Sequence, residues 1–438
     1  MYCRESGPQY AHSFSRITVT MRRFLLSVLL ALFVLFPFLK ISGATEGSPR
    51  QLLVGYFPQW GIYNDPPYYM KDLVTSGAAP LLDQLNYAQG FIVNARCAVA
   101  DPNADLNLTY TAINSIDGKA DRPVSPLRGS FHQLQKLKKR YPRMKILISL
   151  EGNATSFADA ARPENRKAFV SSCIDMFVRG HFGPAIKAPG IFDGFDVDWE
   201  YPKPEDAPNY LALLQEFRKQ LNAVHPGLKL TIAAGPSPGM YHTVDFAAVA
   251  RVVDLIGLMN YDYVGPWHKE TGFHAPLYSE HSGSADRTVR AYEDAGVPAD
   301  KLLLGVPFYG YSWKAVSAEN HGLFQPGEAV HQDRPYRYIQ TLIASSTVYR
   351  DPAAQAPWLY DGDTFWTYED AVSARFKGEY AHQHVLGGAM VWELGEDSSD
   401  AQLLKAVSAG LREPPTQPKV ASEPATLSDS LSVGAEKE

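Results

Sequence analysis

Residues 191–202 read IFDGFDVDWEYP, and the alternation inside this stretch decides the fold class. Asp196, Asp198 and Glu200 alternate with Phe195, Val197 and Trp199. Successive side chains of a strand point to opposite faces, so the three acids share one face and the three large apolar residues the other. A solvated strand face could also carry alternating acids, but Ile191 and Phe192 in front of the row mark a buried strand. A buried strand with acids on its inner face fits a closed barrel, in which Glu200, last in the row, stands at the catalytic end. Asp193 is out of phase by one residue and is read as a supporting group.

Seven more runs of Val, Ile, Leu and Phe lie on either side: LLVGYF (52–57), QLNYAQGFI (84–92), KILISL (145–150), KLTIAA (229–234), LIGLMNY (255–261), KLLLGVPFY (301–309) and VLGGAMVW (385–392). The segments between them follow helix grammar. FHQLQKLKKRYP sets Phe131, Leu134 and Leu137 on one side, gathers its basic residues where they suit the helix dipole, and stops at Pro142. NYLALLQEFRKQLNAVHPG and DRTVRAYEDAGVP are built alike. Strands alternating with helices pair in parallel through right-handed crossovers, and eight such units predict an α/β protein, a (β/α)8 TIM barrel. About seventy-five residues separate the seventh run from the eighth, too many for a simple crossover. The part from 311 to 368 is rich in aromatics and is expected to be a small α+β insertion between strands 7 and 8, walling the barrel mouth.

The ends read differently. Arg22 and Arg23 precede the apolar run FLLSVLLALFVLFPFL, and SGA at 42–44 offers small residues for a cleavage site, so 1–44 is expected to be a leader that sends the chain out of the cell or into a periplasm. The barrel is then assigned to 45–412, with no integral span in the mature chain. Residues 413–438, rich in Pro, Ser, Ala and Glu, are expected to be a disordered tail. Removal of the leader leaves Cys97 and Cys173. They could pair in an oxidising compartment, but they fall in different barrel units, and the reading favours two separate thiols.

Composition narrows the function. Of 438 residues, 45% are hydrophobic and 20% charged, which excludes a disordered or multi-span chain. A net charge of −6 gives no basic surplus for a phosphate backbone, so no nucleic-acid partner is expected. Three acids on one inward face repel one another, and at least one should hold a proton at neutral pH, as a general acid requires. Mg²⁺ and Ca²⁺ favour such oxygens too, but no His-based metal motif accompanies the row, and neither metal nor cofactor is expected.

DGFDVDWE resembles the DxxDxDxE signature of family 18 glycoside hydrolases, the chitinases. MNYDY (259–263) is similar to the family's MxYD motif, GGAMVWELGED (387–397) to its last strand, and GYFPQWGIY (55–63) to the first strand of bacterial members that carry an α+β insertion. The match runs over roughly 50 to 410. It implies a chitinase that cleaves β-1,4 bonds between N-acetylglucosamine units with retention, using the substrate's own N-acetyl group as nucleophile. Carried over by position, Glu200 would protonate the glycosidic oxygen, Asp198 would orient the acetamide, and Asp196 would share a proton with Asp198. Tyr261 would hydrogen-bond the acetamide oxygen, Asp262 would contact the ring, and Trp392 would stack under the −1 sugar. Met259, Tyr56 on the pocket floor, Trp60, Phe91 and Trp267 complete the expected binding set, with Ser149 and Asp193 in support. Chitin or chitooligosaccharides are the implied partners, and a monomer is the expected state. One departure stands out: where the family ends its third strand Ser-x-Gly-Gly, this chain reads Ser149-Leu150-Glu151-Gly152, and the acid is expected to fill space near the −1 floor. An endo-β-N-acetylglucosaminidase and a non-catalytic chitin-binding lectin are the rival readings.

Overall fold

The computed structural model describes residues 50–413. The expected leader and tail lie outside these residues, except for Glu413. Eight parallel strands close on themselves: β1 (Leu52–Pro58), β2 (Gln84–Val93), β3 (Lys145–Asn153), β4 (Gly194–Glu200), β5 (Lys229–Ala234), β6 (Leu255–Leu258), β7 (Leu302–Pro307) and β8 (Gly388–Trp392). Each pairs with its neighbours in sequence, and β8 returns to β1, with Leu52 to Gly55 opposite Gly388 to Val391. All eight runs read from the sequence are strands of this barrel.

Period two explains what each strand buries. Phe195, Val197 and Trp199 turn outward into a large apolar layer between sheet and helices, where Trp199 stacks on Phe157 at 5.3 Å between centroids. The helix Gly129–Arg140 buries Phe131, Leu134 and Leu137 in that layer and carries Lys138, Lys139 and Arg140 in its last turn. The helix Ala207–Val224 buries Tyr210, Leu213, Leu214, Phe217 and Leu221. Gly194 shows why the acid strand begins with a residue lacking a side chain: its φ is +154°, and a Cβ there would sit 1.9 Å from the carbonyl oxygen of Lys229. Gly388 repeats the device at β8, where a Cβ would meet the Leu52 oxygen at 1.9 Å.

Between β7 and β8 stands a five-stranded antiparallel sheet made of Tyr309–Lys314, Glu328–Pro335, Thr347–Asp351, Ala356–Tyr360 and Phe365–Thr367, with a helix at Tyr336–Leu342. Its first strand starts at Tyr309, two residues before the boundary read from the sequence. Its aromatics Tyr309, Tyr311, Trp313, Trp358 and Phe365 share one apolar cluster with the inward residues Val54, Tyr56, Met259, Tyr261 and Met390, so the barrel's inner core runs on into the insertion.

The cysteines correct the sequence reading. Cys97 and Cys173 form a disulfide with 4.9 Å between Cα atoms. Membership of different units proved no obstacle: β2 continues into a hairpin with Arg96–Val99, which folds back over the helix Pro163–Cys173. Among the described residues, no helix is long and apolar enough to cross a membrane.

Candidate active site

Asp196, Asp198 and Glu200 project inward from β4 at increasing height, and their surroundings change step by step. Asp196 is 1% exposed, and its two oxygens accept three hydroxyls: Tyr56 of β1 at 2.7 Å, Ser149 of β3 at 3.0 Å, and Thr231 of β5. Burial raises its pKa, and these hydrogen bonds oppose the rise. Asp198, one step up, is also buried, and its Oδ1 has no hydrogen-bond partner among the described residues. Burial pushes it well above the usual carboxylate range, and the negative charges of Glu200, Asp196 and Glu151 add to the effect. Glu200 is the exposed member; it too is raised, first by loss of solvation and then by Glu151 and Asp262.

Both oxygens of Asp196 are thus taken by hydroxyls, and among the described residues no hydrogen bond joins it to Asp198. The place expected for Asp193 is corrected. It lies just before β4 at the opposite end of the barrel, where it accepts from the Ile146 amide at 2.9 Å and pairs with Lys138 at 2.8 Å, so it tethers β3 to β4 rather than supporting the acid row.

Above the row opens a cavity of ≈ 370 Å³. Glu200, Asp198, Tyr261, Asp262, Trp392, Met259 and Tyr56 all line it. Tyr56 and Trp392 stand with ring centroids 5.2 Å apart, and Trp60 flanks Trp392 at 6.2 Å. Asp262, held at φ +62°, receives the phenols of Tyr309 and Tyr311 on one oxygen at 2.7 and 3.0 Å. Burial raises its pKa against those two hydrogen bonds. Trp267 is 58% exposed and packs edge-on against Tyr311 on the rim, outside the cavity lining. Phe91 is 40% exposed near the end of β2, where the strand pairs with Arg96–Val99, and it does not line the cavity. Glu151 is exposed and is not among the residues that line the cavity. Two larger hollows, of ≈ 610 and ≈ 620 Å³, contain none of the acid row.

Four participants carried no role in the sequence reading. Thr231 on KLTIAA is a polar residue inside an apolar run, and only the β5 register, which sets it opposite Asp196, reveals its part. Tyr309 and Tyr311 flank Gly310, and their spacing of two puts both hydroxyls on the side of Asp262. Tyr201 follows Glu200 directly and lines the cavity. The peptides Ala88–Gln89, Glu200–Tyr201 and Trp392–Glu393 are cis. No group of three or more His, Cys, Asp or Glu among the described residues is arranged to hold a metal ion.

Residues 52–397 match the family model for glycosyl hydrolases family 18. Chitinase C of Streptomyces lividans is 32% identical over 377 residues, 82% of this chain and 59% of that protein. Chitinase 63 of Streptomyces plicatus is 30% identical over 85% of this chain and 63% of its own length. The chain thus spans about three fifths of these curated relatives. The catalytic domain of the psychrophilic chitinase B from Arthrobacter TAD20 superposes with a TM-score of 0.77 at 31% identity, covering 83% of this chain and 95% of that one. With the family model matched across the whole barrel and an acid row at its mouth, the chain belongs to glycosyl hydrolases family 18.

Proposed function

We propose that this protein is a chitinase that hydrolyses β-1,4 bonds between N-acetylglucosamine units with retention, by substrate-assisted catalysis. The observation that carries the reading is Asp198: a buried carboxylate whose Oδ1 has no partner among the described residues, directly below an exposed acid. A buried acceptor of this kind is costly unless a ligand completes it, and an acetamide N–H is a donor of the right type. Asp198 and Glu200 rise from one strand two residues apart, ~6.6 Å along it, so both address the sugar from the same side. A protein nucleophile would have to attack from the other side, and the substrate's own acetamide oxygen supplies that attack.

In the first step Glu200 gives its proton to the glycosidic oxygen as the C1–O bond breaks. The acetamide oxygen bonds to C1, and Asp198 accepts the N–H and balances the positive charge on the oxazolinium ring. Tyr261, on the facing wall, donates to the acetamide oxygen and holds it in line. In the second step water attacks C1, the oxazolinium C1–O bond breaks to restore the acetamide, and the proton of the water passes to Glu200. Trp392 and Tyr56 give the sugar an apolar floor. A retained acid row favours an enzyme over a chitin-binding lectin.

Export is part of the proposal, supported by the Cys97–Cys173 disulfide, which persists in oxidising surroundings. We further propose a monomer acting on chitin or chitooligosaccharides. The test is Glu200→Gln with N-acetylglucosamine hexamer followed by proton NMR. The wild type should release the β-anomer first, and the variant should bind hexamer with kcat lower by at least ~10²-fold, the scale of a lost general acid. Initial α-anomer, or near-normal turnover in the variant, would overturn the mechanism.

A further inference from the structure

Ser149 and Glu151 lie two residues apart on β3, and the parallel register sets them opposite Asp196 and Asp198 of β4. The Ser149 hydroxyl donates to Asp196 at 3.0 Å, which fixes the direction of this phase of β3 as inward, onto the acid row. The period of two then carries Glu151 to the same side, level with Asp198 and one diagonal step from Glu200. With strands ~4.8 Å apart and ~3.3 Å per residue, the Cα atoms of Glu151 and Glu200 are about 8 Å apart.

The charged and polar groups around the row are acids or neutral side chains: Tyr56, Asp198, Tyr261 and Asp262 line the cavity with Glu200, Ser149 and Thr231 hold Asp196 below, and on β3 the register sets Glu151 opposite Asp198 and Asn153 opposite Glu200. Tyr201, Tyr309 from the insertion and Trp392 of β8 complete the wall, and the lining holds no Lys, Arg or His. Lys203, three residues beyond Glu200, lines a separate hollow with Glu205 and Asp206. No cation of the lining therefore offsets Glu151.

We propose that Glu151 is a positioning residue for the acid step: its negative charge at the mouth keeps the proton on the Asp198–Glu200 pair, so that Glu200 remains a donor in less acidic solution. The inference rests on the chitinase reading and deepens it at one residue. Glu151 stands second only to burial among the causes that raise Glu200, and it raises Asp198 as well. The sign follows from like charges: ionised Glu151 disfavours an ionised Glu200, and its removal lets the proton leave at lower pH.

The experiment is the pH dependence of kcat/KM on N-acetylglucosamine oligomers for the wild type and for Glu151→Gln, Glu151→Gly and Glu151→Asp. In the Gln and Gly variants the alkaline limb should move down by about half a unit to one unit, the effect of a unit charge ~8 Å away through a medium between protein and water. At pH values above the wild-type limb this is a loss of roughly 3- to 10-fold, with the acid-side plateau unchanged. Glu151→Asp should keep the wild-type profile, and raised salt should shrink the difference because Glu151 is exposed. Superimposed Gln and wild-type profiles would overturn the proposal, as would a common shift of Gln and Asp, which would mean shape rather than charge. Should the wild type cleave no oligomer, the chitinase reading fails separately. The ¹³C carboxyl titration of Glu200 then decides: a lower midpoint in Glu151→Gln upholds the electrostatic role, and an unchanged one refutes it.

Discussion

Breaking the Cys97–Cys173 bridge should lower stability by an amount set by the chain it closes. The cysteines are 76 residues apart, and the loop-closure relation for a ring of that size gives about 4.5 kcal/mol at 25 °C. An unfolding entropy of ~2.1 cal/mol/K per residue over the barrel gives ~0.75 kcal/mol/K, so the loss corresponds to a Tm lower by about 6 °C. Both side chains are buried, Cys97 at 5% and Cys173 at 0% exposure, so substitution also thins the core. Reduced wild type isolates the covalent term, and the double variant Cys97→Ala/Cys173→Ala adds the packing loss. The assay is calorimetry with and without reductant, with thiol release confirmed by mass. Activity at 25 °C should be unchanged, because neither cysteine lines the cavity and the hairpin is still paired to β2. A fully reduced protein melting within ~1 °C of the oxidised form would refute the entropic account of this clip.

Tyr56→Phe removes one of three hydroxyls from Asp196 and should cost kcat about 10-fold or more, the scale of a hydrogen bond to a charged group, with a smaller change in KM; unchanged steady-state kinetics would show that Tyr56 is only wall. Lys377 and Glu369 form an ion pair at 1% and 2% side-chain exposure, so Lys377→Met should lower stability in a urea melt by ~3–5 kcal/mol, while Lys377→Met with Glu369→Leu should recover most of it; a neutral single variant would contradict the pairing. Burial raises Asp397 to about 6, Asp105 to about 7 and Glu396 to about 8. A carboxyl with a raised folded pKa holds its proton more tightly in the native state, so this stability is full below the ordinary carboxylate value and is lost as pH climbs through the window from 6 to 8. Tm measured across pH should therefore be higher at pH ~5 than at pH ~8; a flat or rising curve would refute the assignment.

The barrel was legible because its strands carried a redundant signal: a short run rich in Val, Ile, Leu and Phe, bounded by turn residues, with a helical pattern behind most of them. The acid row was legible for a related reason, since a period of two in DGFDVDWE fixes direction without reference to any other strand. Contacts between strands were not. Thr231 joins the site only because β5 lies in register with β4, and Asp193 leaves it because it falls at the other end of the barrel, where a lysine and an amide occupy it. Phe91 does lie on a strand, but at the end of β2 that pairs with Arg96–Val99, and there it is 40% exposed and away from the cavity. The disulfide was hidden by the same limit, as hairpin return is a tertiary event that spacing along the chain does not encode.

Three acids on one inward strand face are costly in any barrel, and the structure spreads that cost by depth. At the bottom Asp196 is fully solvated by protein, with hydroxyls brought from β1, β3 and β5 in place of water. At the top Glu200 keeps contact with solvent. Asp198, between them, is buried, and its Oδ1 has no hydrogen-bond partner among the described residues. The electrostatic cost of the row is thus greatest at the acid to which the proposed mechanism assigns the acetamide. Replacing Asp198 with Asn should make this visible without chemistry: relief of the repulsion should raise Tm, while turnover should fall by orders of magnitude because a neutral amide cannot balance an oxazolinium. A variant that is both less stable and inactive would point to Asp198 as a structural anchor, and the division of roles along β4 would have to be abandoned.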